Sequence, residues 1–229
     1  MKRLFALVVL GLVPALVIVA GALGADLIIG CKQSHINNDD MIVFPGQPGA
    51  SHEHVYVGVR SNNAFSTIDS MRASGTTCDD PRDLNALWAP TFLAGYPIHP
   101  TRGALSYYTF NGTQFPRGFK VIVRWSSGHV VFKCGPGSNT ETRVPPPKCD
   151  SGMAVPVVDF PRFYDGRLDS PDHMSHACWV RTGACSIPLP KLKVYWRIKV
   201  PAGAPIDWRF SSGDYTTFHL DYVATGPIA

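Results

Sequence analysis

The sequence predicts an all-β fold, a single-domain β-sandwich or jelly roll with long loops and disulfides. Short runs of β-branched and aromatic residues recur between clusters of Gly, Pro, Asn and Ser, and no long stretch has helical periodicity. Six cysteines are spread along the chain. Short strands with frequent turn signals are typical of sandwiches and jelly rolls. With 229 residues, 45 % of them hydrophobic, the chain is long enough to bury a full core.

The chain begins with a segment typical of a secretory signal. Lys2 and Arg3 make a basic start, an apolar run follows, and small residues precede Asp26. We therefore expect residues 1–25 to be a signal peptide and residues 26–229 to form one domain. The alternative is an uncleaved signal anchor, because the apolar run approaches the length of a membrane span. The predicted location is secreted or extracellular, with membrane contact only in the uncleaved form.

Charge and motifs exclude several classes of function. The formal net charge is +4, and +2 remains when Lys2 and Arg3 leave with the leader. This charge is too small for the electrostatic footprint of a nucleic-acid-binding protein, so nucleic acid is not a predicted partner. The sequence contains no G-x-S-x-G elbow, phosphate loop, dinucleotide fingerprint or H-E-x-x-H helix. An enzyme with a nucleophilic Ser or Cys is therefore disfavoured.

Nine runs after the leader are predicted to be strands. In chain order they are LIIGC, HVYVGV, LWAPTFL, ALSYYTF, FKVIVRW, HVVFKC, AVPVVDF, LKVYWRIKV and TTFHLDYV. The fifth and sixth runs form the segment FKVIVRWSSGHVVFKC, which predicts a hairpin with its turn at Ser126, Ser127 and Gly128.

Two of these runs place histidine opposite an apolar face. In GASHEHVYVG and the valine that follows it, alternation puts His52, His54 and Tyr56 on one face and Val55, Val57 and Val59 on the other. In TTFHLDYV, His219 and Asp221 lie opposite Phe, Leu and Tyr. Because the apolar faces belong in the core, the histidine faces are expected at solvent, at a partner, or in a site that uses imidazoles.

A third polar cluster lies in the segment RLDSPDHMSH. It predicts a helical turn that begins at Pro171 and places Asp172, His173 and His176 within one turn.

We expect the three clusters to converge in one pocket. The candidate catalytic residues are His52, His54, Asp172, His173, His176, His219 and Asp221. The carboxylates would orient an imidazole or serve as acid and base. An H-x-H pair with a distant histidine and a carboxylate also suits a divalent first-row metal, so the cofactor and its ligands are left open. The alternative is that these histidines are separate surface or hydrogen-bonding residues, which for any single one is the better prediction.

The six cysteines form an even set in a chain predicted to be exported, so we expect disulfides. Their spacing predicts three pairs, namely Cys31 with Cys78, Cys134 with Cys149, and Cys178 with Cys185. The second pair flanks a Gly/Pro-rich loop and the third a short turn, which leaves the first to close a long loop. A zinc site built from these cysteines is disfavoured relative to disulfides, because no C-x-x-C pair is present.

Several long motifs resemble a known family. They are DDMIVFPGQPGASHEHVYVG, NAFSTIDSMRASGTTC, LWAPTF, VVFKCG, LDSPDHMSH and GDYTTFHLDY. Together they run from about Cys31 to Tyr222 and resemble the secreted domain-of-unknown-function family DUF1996, seen in bacteria and fungi and often found beside WSC carbohydrate-binding modules. The resemblance implies export and a cell-wall or polysaccharide setting without implying a reaction.

The family's histidine motifs fall on the three clusters described above. Its G-x-S-H-x-H, S-P-D-H-x-S-H and terminal histidine motifs correspond to Gly49, Ser51, His52 and His54, to Ser170, Pro171, Asp172, His173, Ser175 and His176, and to His219. The chain has Phe163 where the family has the cysteine of a Cys-Trp-Asp-Gly run, and its segment after Cys185 is shortened. The resemblance implies that Cys178 replaces the lost cysteine as the partner of Cys185, and that the loops around the site are reshaped.

The leading functional prediction is an exported protein that acts on or binds polysaccharide through a His/Asp pocket. If it is an enzyme, acid–base chemistry would make it a glycan hydrolase or lyase. The alternative is a non-catalytic metal-binding or cell-wall-associated protein. In both cases the predicted partner is extracellular polysaccharide or the cell wall.

Overall fold

The computed structural model describes residues 26–93, 101–135 and 137–228, and the predicted leader lies outside these ranges. The strands are β1 (Asp26–Cys31), β2 (Gln33–Asn37), β3 (His54–Gly58), β4 (Ala86–Pro90), β5 (Thr101–Thr109), β6 (Lys120–Arg124), β7 (Val130–Cys134), β8 (Met153–Asp159), β9 (Phe163–Tyr164), β10 (Ala177–Cys178), β11 (Ile187–Pro188), β12 (Lys191–Lys199), β13 (Arg209–Phe210), β14 (Gly213–Asp214) and β15 (His219–Val223). One α-helix, α1 (Ile68–Ser74), and two 3₁₀ turns, Trp125–Ser127 and Tyr215–Thr217, complete the elements of these ranges.

Two five-stranded antiparallel sheets form the body of the fold. Sheet one has the strand order β1-β5-β12-β8-β7, and sheet two has the order β2-β3-β4-β15-β6. Short pairs link β9 with β10 and β11, and β13 with β14. Sequence-adjacent edge strands lie in different sheets, so the chain crosses from one sheet to the other between β1 and β2 and again between β6 and β7. The predicted all-β sandwich is confirmed.

The main core lies between the two sheets. Sheet one contributes Tyr108 and Trp196, and sheet two contributes Val57, Leu87 and Leu220, all of them buried in one cluster. Each of these residues alternates with an outward neighbour, as expected for a sheet with one face in the core.

A second, smaller core covers the outer face of sheet two. Tyr56 and Trp88 of the sheet pack there with Met41 from the segment 38–51 and with Met71 from α1. The face that carries the histidines of β3 and β15 is therefore covered by chain rather than open. The covering layer encloses these histidines between the sheet and the segment above it.

All nine predicted strands are present, but the predicted hairpin is wrong. β6 pairs with β15 in sheet two, and β7 pairs with β8 in sheet one. The 3₁₀ turn Trp125–Ser127 carries the chain around the edge of the sandwich. Both strands put alternate apolar residues into the same core from opposite sides, so their pattern is the same as that of a paired hairpin.

The helical turn predicted at Pro171 is also wrong. Residues 171–176 form hydrogen-bonded turns and bends, and His173 has a φ of 57°, which is left-handed backbone. The Asp172 carboxylate accepts hydrogen bonds from the N–H groups of Met174 and Ser175 at 3.2 and 2.9 Å. In a helix these N–H groups would bond to backbone carbonyls, so the side chain competes with helix formation. No helix of the described residues is long and apolar enough to cross a membrane.

The predicted disulfides are confirmed. Cys31 bonds to Cys78, Cys134 to Cys149 and Cys178 to Cys185, and the described residues include no free cysteine. Three disulfides fit an oxidising, extracellular setting.

Candidate metal centre

The candidate site lies on the outer face of sheet two, where three neighbouring strands end. His54 begins β3 opposite Pro90 of β4. The register between β4 and β15 pairs Asp221 with Trp88 and so places His219 level with the same proline. The two histidines are thus two strand spacings apart, roughly 10 Å along the sheet, and share one face. Their side chains reach toward each other across β4.

The imidazoles of His54 and His219 meet nitrogen to nitrogen, with their Nε2 atoms 3.4 Å apart. The Nδ1 atom of His54 lies 3.2 Å from the carbonyl oxygen of Asp39, and that of His219 lies 2.9 Å from the carbonyl oxygen of Thr217. A carbonyl oxygen only accepts, so each Nδ1 carries the hydrogen. Each neutral ring then points the lone pair of its Nε2 at the other ring. Two such lone pairs repel unless a proton or a cation lies between them.

His52 adds a third imidazole from the loop before β3. Its ring centroid lies 4.3 Å from that of His54 and 5.1 Å from that of His219. The Nε2 atom of His52 is buried and has no hydrogen-bond partner among the described residues. One nitrogen from each of the three rings lies within 4.8 Å of the other two. The loop and two strands therefore supply a set of facing nitrogen donors.

Two buried carboxylates border the imidazoles. Asp221 is fully buried, and its Oδ2 lies 3.6 Å from the Nε2 of His219. Neither oxygen of Asp221 accepts a hydrogen bond from any described residue. Asp40 is 2 % exposed, and its Oδ1 accepts two backbone N–H groups of the turn that follows it. Ligand atoms of Asp40, His54 and Asp221 lie within 4.8 Å of one another, so His54 belongs to both the nitrogen set and the carboxylate set.

Burial sets the charge states in this site. It lowers the pKa of His54 far below the usual value and that of His219 to about 4, so both rings are neutral at pH 7. Burial also raises the pKa of Asp221 well above that of an ordinary carboxyl, and the nearby charge of Asp40 raises it further, against the opposing effect of Arg124. The site thus combines neutral nitrogen donors with two carboxyl groups that form no ion pair with a lysine or arginine of the described residues.

Asp39 holds the covering segment and orients the site. Its side chain accepts the N–H of Gly49 at 2.8 Å and the N–H of Ala64 at 3.1 Å, which ties the segment 38–51 to the turn before α1. Its carbonyl oxygen accepts both the ring hydrogen of His54 and the hydroxyl of Tyr56. One residue therefore fixes the position of the segment and the tautomer of a histidine.

Sequence reasoning did not identify Asp39 or Asp40 as site residues. Both lie in a loop, where strand alternation gives no information about direction. The available signal was the acidic pair at the start of DDMIVFPG, in the same loop as the start of the H-x-H segment and ending twelve positions before His52.

His176 lies elsewhere and is built into the protein interior. It is fully buried, with Nδ1 2.8 Å from the hydroxyl of Ser170 and Nε2 2.8 Å from the carbonyl oxygen of Lys120. Its ring packs 5.2 Å from that of Phe119. Both ring nitrogens are hydrogen-bonded to other groups of the protein, so His176 has a structural role.

His173 and Asp172 occupy the rim of the same loop. The Nδ1 of His173 lies 2.8 Å from an oxygen of Asp169, and the ring is close enough to Asp40 to influence that carboxyl electrostatically. The Asp172 carboxylate accepts hydrogen bonds from the backbone and hydroxyl of Ser175 and from neighbouring groups, which hold its pKa well below the usual range. Asp172 thus stabilises its own turn.

Of the predicted site residues, the structure brings together His52, His54, His219 and Asp221, and it adds Asp40. It places Asp172 and His176 in other hydrogen-bond networks. Imidazole nitrogens with a carboxylate oxygen are donors that Zn²⁺, Cu²⁺ and Ni²⁺ accept readily. A further group of Cys31, Cys78 and Asp83 is close enough to hold an ion, but its cysteines form a disulfide and offer no thiolate.

Comparison with known proteins agrees with the motif resemblance. The chain matches no curated protein and no solved structure. A family model described as "Domain of unknown function (DUF1996)" matches residues 40–225, which include every residue of the candidate centre. The chain therefore belongs to the DUF1996 family.

Proposed function

We propose that this protein is an exported metal-binding protein that holds one divalent first-row transition metal ion. The ligands are the imidazoles of His52, His54 and His219 and the carboxylate of Asp221. Asp40 lies beside them as a second carboxylate that offsets the charge of the ion. The family description names no activity, so the proposal rests on the geometry of these side chains.

The observation that carries the proposal is the contact between the Nε2 atoms of His54 and His219. They are 3.4 Å apart, and each ring donates its Nδ1 hydrogen to a backbone carbonyl. Two nitrogens bound to one tetrahedral Zn²⁺ at about 2.0–2.1 Å are roughly 3.3 Å apart. Metal-bound histidines usually donate their second ring hydrogen to a carbonyl or carboxylate, which is the arrangement seen for both rings. A cation thus turns a repulsive contact into a stabilising one.

The carboxylates support the same proposal. Asp221 is buried beside another carboxyl and lacks a hydrogen-bond partner among the described residues, an arrangement that costs free energy in the ionised state. A divalent cation within reach of its oxygens compensates that cost. The partly exposed ring of His52 is the side from which the ion would enter.

Action on an extracellular polysaccharide stays a prediction of the sequence. A metal held by three imidazoles and one carboxylate is compatible with a structural role or with catalysis. The metal-binding proposal requires neither.

Metal analysis of the purified full chain tests the proposal. The protein is stripped with a chelator, dialysed, and titrated by calorimetry with Zn²⁺, Cu²⁺, Ni²⁺, Mg²⁺ and Ca²⁺, and the bound metal is counted by mass spectrometry. We expect one tight site for the transition metals and none for Mg²⁺ or Ca²⁺, because imidazole ligands favour the former. His219→Ala is expected to remove the site.

His129→Ala is the matched control. It also deletes one imidazole, but His129 stacks on Trp179 beside sheet one and is not part of the centre. It should bind metal as the unmodified protein does. Failure of the unmodified protein to retain any transition metal, or equal metal uptake by His219→Ala, would refute the proposal.

A further inference from the structure

The outer face of sheet one carries a second feature that the metal centre does not use. Lys133, Val155, Tyr195 and Leu105 are outward residues of β7, β8, β12 and β5, and with Tyr107 and Arg197 they line a cavity of about 80 Å³. We call this cavity the lysine cavity. It lies on the opposite side of the sandwich from the histidines, because the two sites occupy the outer faces of different sheets.

Lys133 is unusual for a lysine on a sheet face. The residue is only 6 % exposed, yet no carboxylate of the described residues lies within ion-pair distance of its ammonium group. Its contact is with the ring of Tyr195, whose centroid lies 5.3 Å from the nitrogen. Lysines are almost never this buried without a paired anion, because the charge loses hydration that a ring only partly replaces.

A second depression lies beside the lysine cavity on the same face, and its cations are paired with carboxylates. It has a volume of about 270 Å³, and it contains Lys193 paired with Glu141 at 3.0 Å and Arg162 paired with Asp159 at 3.2 Å. The cations there are neutralised by the protein itself. Lys133 differs from these two cations, because it is buried on the same face without a paired carboxylate among the described residues.

An aromatic surface lies directly at the cavity. Tyr107 is 40 % exposed and meets Tyr195 edge to face, with ring centroids 5.2 Å apart. An exposed tyrosine ring offers a flat surface on which the C–H face of a sugar ring can pack, while its hydroxyl remains available for hydrogen bonds. A pocket with apolar and aromatic walls and few polar groups is the usual form of a small-molecule site.

From these observations we infer that the lysine cavity binds an acidic saccharide, with a sugar carboxylate at Lys133 and the sugar ring against Tyr107. A volume of about 80 Å³ suits an acid group rather than a whole sugar, so the ring lies outside on the tyrosine. The adjoining depression is lined by Val131 and Val157, which lie two residues along β7 and β8 from Lys133 and Val155, roughly 7 Å away. It provides room for the next sugar unit of an oligosaccharide. This inference is independent of the proposed metal centre.

Calorimetric titration of the full chain with oligogalacturonate, in the presence of a chelator, tests the inference. The chelator keeps uronate carboxylates from binding through a metal ion. We expect saturable binding of the acidic oligosaccharide and none of a neutral gluco-oligosaccharide of equal length. Lys133→Met, which keeps an unbranched apolar side chain one atom shorter and removes the charge, should weaken binding roughly 10- to 100-fold, as for the loss of a charge-assisted hydrogen bond.

Lys191→Met is the matched control, because Lys191 is an exposed cation of β12 that does not line the cavity. It should bind within twofold of the unmodified protein. Tyr107→Ala tests the ring and should also weaken binding. Because Lys133→Met removes a buried charge, its thermal melt should not fall below that of the unmodified protein.

Three results would overturn the inference. One is absence of binding at millimolar oligogalacturonate, and another is equal binding by Lys133→Met and the unmodified protein. The third is binding of inorganic sulfate or of a single-stranded oligonucleotide as tightly as oligogalacturonate. That result would mean that the cavity binds anions without selectivity.

Discussion

At the scale of single residues, the candidate centre depends on main-chain carbonyls as much as on histidines. The carbonyl oxygens of Asp39 and Thr217 decide which nitrogen of His54 and His219 faces the site. Had either ring met a donor instead, its outward nitrogen would carry a hydrogen and could not bind a metal. Such orientation is not visible in residue types, because any residue offers a carbonyl.

Asp221→Asn is expected to change stability and metal affinity in opposite directions. The raised pKa of Asp221 means that its ionised form opposes folding in the metal-free protein, so the neutral amide should raise the free energy of unfolding in chelator. The same change removes an anionic ligand and should weaken metal binding at least tenfold. Urea unfolding in chelator and a calorimetric metal titration measure the two effects. A loss of stability in chelator together with unchanged metal affinity would contradict this assignment.

His176→Ala is expected to behave differently from variants of the centre. It removes a ring that contacts Phe119 and strands the partners of two hydrogen bonds, so we expect a loss of roughly 2–4 kcal/mol in unfolding free energy. Metal stoichiometry per folded molecule should stay unchanged. Thermal melts and metal analysis of one preparation give both values, and loss of metal without loss of stability would place His176 in the site.

At the scale of elements, alternation along strands was the most informative part of the sequence. It predicted that His54 shares a face with Tyr56 and that His219 shares one with Asp221, and both pairs lie on the outer face of sheet two. Pairing between strands was not predictable in the same way, because β6 and β7 each satisfy the core pattern from a different sheet. Loops carry no period, so the positions of Asp40 and His176 could not be derived from spacing.

Gly58→Ala tests how tightly the end of β3 is packed against its neighbour. Gly58 has a φ of 85°, and an added Cβ would lie 2.4 Å from the carbonyl oxygen of Asn85. We expect a loss on the order of 2–4 kcal/mol in unfolding free energy, from left-handed strain and from the clash together. Gly112→Ala has a similar φ of 76° and nothing within 4 Å, so it measures the strain alone. Equal losses in chemical denaturation of the two variants would mean that the clash is relieved at no cost.

At the scale of the whole molecule, the two sheets share one core but use their outer faces differently. Sheet two is covered by the segment 38–51 and by α1, which encloses neutral histidines and buried carboxyls. The outer face of sheet one carries the exposed ring of Tyr107 and the lysine cavity. The formal charge of the chain is small, so local arrangement rather than net charge decides what each face can bind.

The pH dependence of the free energy of unfolding tests whether the buried carboxyl of Asp83 is shielded from water. This carboxyl is 1 % exposed, accepts the N–H of Asn85 at 3.1 Å and the hydroxyl of Tyr108 at 3.2 Å, and burial raises its pKa to about 6. Between about pH 4 and pH 6 the folded state therefore binds more protons at this position than the unfolded state, so the free energy of unfolding falls as the pH rises.

Asp83→Asn removes this dependence, because an amide does not titrate and still offers an oxygen to Asn85. We expect the difference in unfolding free energy between the variant and the unmodified protein to shift in favour of the variant by roughly 3 kcal/mol in total from about pH 3 to about pH 7, most steeply between about pH 4 and pH 6, and to be constant above that range. Urea unfolding at a series of pH values measures it, with chelator present throughout so that metal binding does not contribute. Using the difference cancels the titration of Asp40, Asp172 and Asp221, which both proteins share. A difference that does not change with pH would show that Asp83 keeps an ordinary pKa, and hence that water reaches this end of the core.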